Sequence, residues 1–151
     1  MNTSGPRAAS VRIEFPLREI RTEFGILLDP SIELSLKSPG GYLRVRFLLD
    51  SGADFTILPR SAALQLGINL TGSREMIITG IEGAGVRAWL SEITVRMADS
   101  EMTLPCLFSS NEKTPYVLGR MGLFQRFNVA FDNRRKKIVL ESISMEAQDE
   151  S

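Results

Sequence analysis

The chain lacks histidine altogether and has a single cysteine, Cys106, in its 151 residues. Without histidine there is no Ser-His or Cys-His catalysis, and the commonest protein ligand for metals is missing. One thiol cannot form an intrachain disulfide, which fits a reducing compartment. Its setting, Leu104-Pro105-Cys106-Leu107-Phe108, is apolar, so the expectation is a buried, inert thiol. Neither sign of charge is in excess, with 18 Lys plus Arg against 18 Asp plus Glu. No global field therefore draws nucleic acid or an anionic membrane surface. The one basic cluster, Arg134-Arg135-Lys136-Lys137, follows Asp132-Asn133 and reads as a solvated hairpin turn. Long apolar runs are also missing: no window could span a bilayer, and Met1 to Ser10 has no secretory core. These absences predict a cytoplasmic protein with no metal, no cofactor, no nucleic acid and no membrane among its partners.

What is present fits one domain. The hydrophobic fraction is 43% and the charged fraction 24%, ordinary values for a globular chain of a size that buries a real core. The expected domain covers residues 11–143, with flexible tails at 1–10 and 144–151. Short strand-like stretches dominate: Val11 to Phe15, Gly25 to Leu28, Ile32 to Leu36 and Tyr42 to Leu49, set apart by charged or Pro/Gly turns. Arg44 and Arg46 alternate with Val45 and Phe47, as on a half-exposed strand that becomes fully buried at its end. Further strands are expected over Val86 to Met97 and Met102 to Phe108, with a closing hairpin of Asn128 to Asp132 and Lys137 to Ile143. Two short helices are expected. One runs from Ser61 to Leu66 with a serine cap and Gly67 as its stop, the other from Arg120 to Phe127. Many strands and few helices mean an all-β barrel.

Three segments bear on chemistry. The first is Phe47-Leu48-Leu49-Asp50-Ser51-Gly52-Ala53-Asp54-Phe55-Thr56-Ile57-Leu58-Pro59, an apolar strand that ends on a carboxylate and a tight glycine turn. Asp-Ser-Gly by itself is also an ordinary turn sequence. The second is Ile77 to Val86, with Gly80, Gly83 and Gly85 between two strand-like stretches, as at a mobile hairpin tip. The third is Tyr116-Val117-Leu118-Gly119-Arg120, a buried strand running into a helix-like stretch.

In this order the three segments resemble the retropepsin-like aspartic protease family, over roughly residues 40 to 142. The resemblance implies an all-β, retropepsin-like acid protease barrel with one or two short helices, completed as a symmetric homodimer. It implies Asp50 as the catalytic carboxylate. Ser51 matches a hydroxyl that bonds across the dimer axis, Gly52 lets backbone pass close to the carboxylates, and Ala53 must be small. Asp54 matches an aspartate beside the substrate backbone, and Arg120 the arginine that pairs with it. Gly80, Ile81 and Gly83 match the flap tip, where Glu82 departs from the retroviral pattern. Leu48, Ile57, Ile78, Pro115 and Val117, with Ile81, match positions lining an apolar cleft.

The count of motifs decides how such chemistry would work. Two carboxylates sharing one proton are needed, one as base towards water and one to polarise the scissile carbonyl. This chain carries one Asp-Ser-Gly. Asp29 is the nearest alternative, but Pro30 follows it and no glycine does, so the second carboxylate is expected from a second copy. The expected function is an aspartic endopeptidase acting on an extended polypeptide. The alternative is a non-catalytic dimerisation or peptide-binding module of the same fold.

Overall fold

The computed structural model describes residues 11–80, 83 and 85–143. The two expected tails, Ile81 and Glu82 lie outside the described residues. The chain opens with β1 (Arg12–Pro16), followed by a hairpin of β2 (Arg18–Thr22) and β3 (Gly25–Asp29). The long strands β4 (Ser31–Ser38) and β5 (Gly41–Leu49) come next, then β6 (Thr56–Pro59) and one short helix, α1 (Arg60–Gln65). A second hairpin pairs β7 (Arg74–Thr79) with β8 (Gly85–Met97), and β8 turns back as β9 (Ser100–Ser109). The two-residue β10 (Val117–Leu118) precedes the closing strands β11 (Phe127–Asp132) and β12 (Lys137–Ser142).

The main sheet has the order β4-β5-β10-β6-β9-β8-β7, and β4 also pairs with β8 through Ser35↔Arg96 and Leu36↔Val95. The sheet therefore closes into a barrel, and β7 hangs from the other end of the same β8 edge. Closure leaves one interior, filled by Phe47, Phe108, Ile32, Leu36, Leu58 and Leu104, all essentially without solvent contact. The expected alternation on β5 is present, with Phe47 and Leu49 buried and Arg44 and Arg46 outward, but it runs to the end of the strand: Leu48 also faces outward, so the end is not fully buried as expected. A separate sheet of β1-β12-β11 packs Ile138 and Leu140 into the same core. Cys106 lies inside it too, and burial pushes its thiol pKa well up, so it is inert as expected. No helix among the described residues is long and apolar enough to cross a membrane.

Three local expectations fail, each for a physical reason. Arg18 to Thr22, read as a charged connector, is a strand. Four of its five side chains are exposed, so no burial pattern marked it. The helix near Ser61 begins at Arg60 behind Pro59 and has no side-chain cap of its own. Instead the Glu112 carboxylate, from a distant loop, accepts the Ser61 N–H at 3.3 Å. Gly67 ends this helix as expected, at φ 68°. The second helix does not form as a regular element. Arg120–Phe124 is a distorted turn broken at Met121 (φ −70°, ψ 120°) and Gly122 (φ 94°, ψ −69°), a conformation that excludes helix continuation.

Candidate active site

The site grows from the way β10 is wedged between β5 and β6. Val117 aligns with Leu48 in a parallel pair and with Ile57 in an antiparallel one. The Leu48 N–H donates to Tyr116 O at 2.8 Å and the Asp50 N–H to Leu118 O at 2.9 Å. The backbone that carries Asp50 is thus tied to β10 on both sides of Leu49. Asp50 itself is half-buried, in a turn closed by the Ala53 N–H on Asp50 O at 3.2 Å. Its Oδ1 accepts the Gly52 N–H at 2.9 Å, which orients the carboxylate before any ligand arrives. Ser51 and Gly52 lie exposed at the tip of the turn.

Strand alternation sorts the neighbouring apolar residues. Leu48 and Asp50 are two apart and share a face. Val117 and Ile57 stand beside Leu48 in register, so these three form a row one step from the carboxylate. Leu48 is 36% exposed, Ile57 half-buried and Val117 buried, so the row is a partly open shelf. Leu49, Leu58 and Leu118 point the other way, into the core. Pro115 is exposed just before the strand. Ile78, half-buried on β7, and Gly80 and Gly83 belong to the β7–β8 hairpin, where the Gly83 N–H meets Gly80 O at 3.0 Å. They share that hairpin with one another rather than a strand with Asp50.

Asp54 and Arg120 meet: Arg120 Nη2 donates to Asp54 Oδ1. The two side chains are 70% and 57% exposed, so in a single chain this ion pair contributes little. The real fastening beneath it is backbone. The Arg120 N–H donates to Ala53 O and the Met121 N–H to Asp54 O, both at 2.8 Å. Between them Gly119 presses against the turn so closely that a Cβ there would lie 2.3 Å from Phe55 O and 2.8 Å from Ala53 O. Gly119 is thus a steric requirement of this turn that neither charge nor burial pattern marks in the sequence. Thr56 is fully buried at the foot of the turn, and its hydroxyl has no hydrogen-bond partner among the described residues.

The single chain supplies only one wall for a ligand at Asp50. A concavity of about 920 Å³ lies elsewhere, beside α1, lined by Arg60, Leu64, Leu70 and Trp89 among others. A smaller one of about 470 Å³ adjoins the clamp, between Asp54, Phe55, Arg120 and Phe124. Neither is lined by Asp50.

A closed barrel with a carboxylate turn locked by a strand wedge is the architecture of an acid protease domain. A family model described as aspartyl protease matches residues 35–121, more than half of the chain. The chain belongs to this family. The fold is similar to the crystal structure of a retropepsin-like aspartic protease from Rickettsia conorii. That match has TM-score 0.59 and 15% identity, covering 93% of this chain and 98% of the other. EIAV protease complexed with an inhibitor is also similar, with TM-score 0.47 and 20% identity over 61% of this chain and 82% of that one. No curated protein matches the chain.

Proposed function

We propose that the protein is an aspartic endopeptidase, active as a two-fold homodimer in which two Asp50 carboxylates share a proton and activate water. The observation that carries this reading is the Asp50 turn. One carboxylate is pre-oriented by the Gly52 N–H, seated at the rim of an apolar shelf, on a chain that has a single Asp-Ser-Gly. In the dimer one Asp50 takes a proton from the attacking water while its protonated partner polarises the peptide carbonyl. Leu48, Ile57 and Val117 flank the cleaved bond with apolar surface, Ile78 and the flap glycines close over it, and Asp54, held by Arg120, lies beside the substrate backbone. A proteolytic role in the cytoplasm fits the lone, buried thiol.

Asp50→Asn tests the proposal. Asparagine is nearly isosteric but can neither act as base nor hold the shared proton, and no histidine exists to replace it. Cleavage of a peptide library should fall on the order of 10³-fold or more. The fold and dimer should be intact or slightly firmer, since two facing charges are removed. Undiminished cleavage by Asp50→Asn would sink the proposal. A wild-type dimer that cleaves nothing in a broad library would favour the non-catalytic binding module instead.

A further inference from the structure

The concavity of about 920 Å³ beside α1 takes no part in the chemistry proposed at Asp50, and its lining is chemically mixed. Its volume is that of sites for drug-sized ligands, roughly 300–1,000 Å³, so a lone ion or amino acid would leave it mostly empty. Leu64, Ile68 and Leu70 give it an apolar side, and Leu64 is 84% exposed on a helix whose Ala62 and Ala63 are buried. The wall is preformed. The Ile68 N–H donates to Ala63 O at 2.8 Å, the Ser73 N–H to Leu70 O at 3.0 Å and the Thr71 N–H to Asn69 Oδ1 at 3.0 Å. Two opposite charges line the hollow without pairing to each other. The Arg60 guanidinium stacks on the half-buried Trp89 ring, 4.5 Å from its centroid, and has no hydrogen-bond or ion-pair partner among the described residues. Glu112 accepts the Ser61 N–H through Oε2 at 3.3 Å, and its Oε1 has no partner among the described residues.

We propose that this concavity is a second peptide site, which holds the C-terminal carboxylate of a short peptide ending in an apolar residue. Arg60 selects the anion. A guanidinium lying on an indole keeps its N–H edge free, and that fork matches a carboxylate with two parallel hydrogen bonds. The ring also shields one face of the cation from water, which strengthens the contact. Arg87, 5.5 Å from the same ring, is already paired with Glu75, so Arg60 is the cation left open to a ligand here. Glu112 narrows the choice. A dianion such as phosphate would meet its repulsion, whereas a peptide brings one terminal charge and amide N–H groups that Oε1 can accept. Leu64, Ile68 and Leu70 then cover the last side chain. The source of such a peptide rests on the protease reading. Hydrolysis puts the oxygen of water on the acyl carbon, so one of the two products ends in a new carboxylate. The shelf of Leu48, Ile57 and Val117 makes the residue that bears it apolar.

Trp89 is the single tryptophan of the chain, so its fluorescence reports on this site. The probes are acetyl-Ala-Ala-Leu with a free C-terminal carboxylate and the same peptide as its C-terminal amide. Both are titrated into the full chain by fluorescence and by calorimetry. The acid should change the Trp89 emission and bind about tenfold or more tighter than the amide, since only the acid gives Arg60 a charged partner. In Arg60→Gln that ratio, read by calorimetry, should collapse to near one, while short substrates are cleaved at the wild-type rate. Arg60→Lys should restore only part of the ratio, because a point charge lacks the fork. No binding of the acid, equal binding of acid and amide, or a ratio unchanged in Arg60→Gln overturns the site. Binding of the acid without a response of Trp89 overturns it as well, by placing the peptide elsewhere. Inorganic phosphate that binds as tightly as the acid and displaces it overturns the peptide assignment in favour of a general anion site. Undiminished cleavage by Asp50→Asn would remove the protease reading and the source of the peptide, while the acid-over-amide preference at Arg60 would still support the site.

Discussion

Two contacts fasten the turn that carries Asp50, and they differ greatly in what their loss should cost. The Asp54–Arg120 ion pair is well exposed, so Arg120→Ala should lower the stability of the isolated chain by no more than about 1 kcal/mol. Gly119 is another matter. Its backbone is at φ −99°, which any residue adopts, so the restriction is purely steric. A methyl group would meet the carbonyls of Phe55 and Ala53, neither of which can swing aside like the end of a side chain. Gly119→Ala should therefore destabilise by about 3 kcal/mol or more and displace the turn, lowering activity in the chains that remain folded. Urea denaturation of both variants decides the order; an Arg120→Ala loss larger than that of Gly119→Ala would show that the salt bridge, not the backbone, is the fastening. The Asp54–Arg120 contact was legible in the sequence because both residues stand in recognisable segments. The need for Gly119 was not, because the obstacle is a carbonyl from a distant part of the chain.

The same distinction holds for whole elements. Strands with one buried face, such as β4, β5 and β8, announce themselves by alternation, and the short helix by its terminating Gly67. β2 did not, since its partner is an equally exposed strand. The cap of α1 did not either, since the acceptor comes from Glu112 rather than from Ser61. The basic turn before β12 reads more clearly in three dimensions. Lys136 pairs with Glu19 and Lys137 with Glu14, so the cluster fastens β12 to the N-terminal strands. The Lys137 hydrogen bond, helped by Arg12, holds the Glu14 carboxyl below its ordinary value of 4.5. A carboxylate lowered in the folded chain adds stability at pH above that ordinary value, and the contribution disappears as pH falls through the lowered one. Glu14→Gln should thus melt earlier than wild type at neutral pH, and the gap should close as pH falls through the lowered value of this carboxyl. A gap of constant size across thermal melts from neutral to acid pH would exclude this ion pair as its source.

At the scale of the whole molecule, the closed barrel follows from the strand pattern, but half of the proposed site is in no single chain. The shelf of Leu48, Ile57 and Val117 has one wall, and the cavities beside α1 and the clamp lie apart from Asp50. A sequence can announce this shortage through its single Asp-Ser-Gly, but the surface that would complete the proposed site carries no motif of its own. Subunit mixing separates a two-chain site from a one-chain site. When wild-type and Asp50→Asn chains are combined in equal amounts and allowed to exchange, random pairing leaves about one quarter of the dimers fully wild type. If both carboxylates are required, activity should fall to about a quarter of that of wild-type chains at the same total concentration, not to one half. Dilution adds a second axis, since activity per wild-type chain should decline once the total concentration drops below the dissociation constant seen by sedimentation. Activity that tracks the fraction of wild-type chains linearly, and does not change on dilution, would place the entire site within one chain.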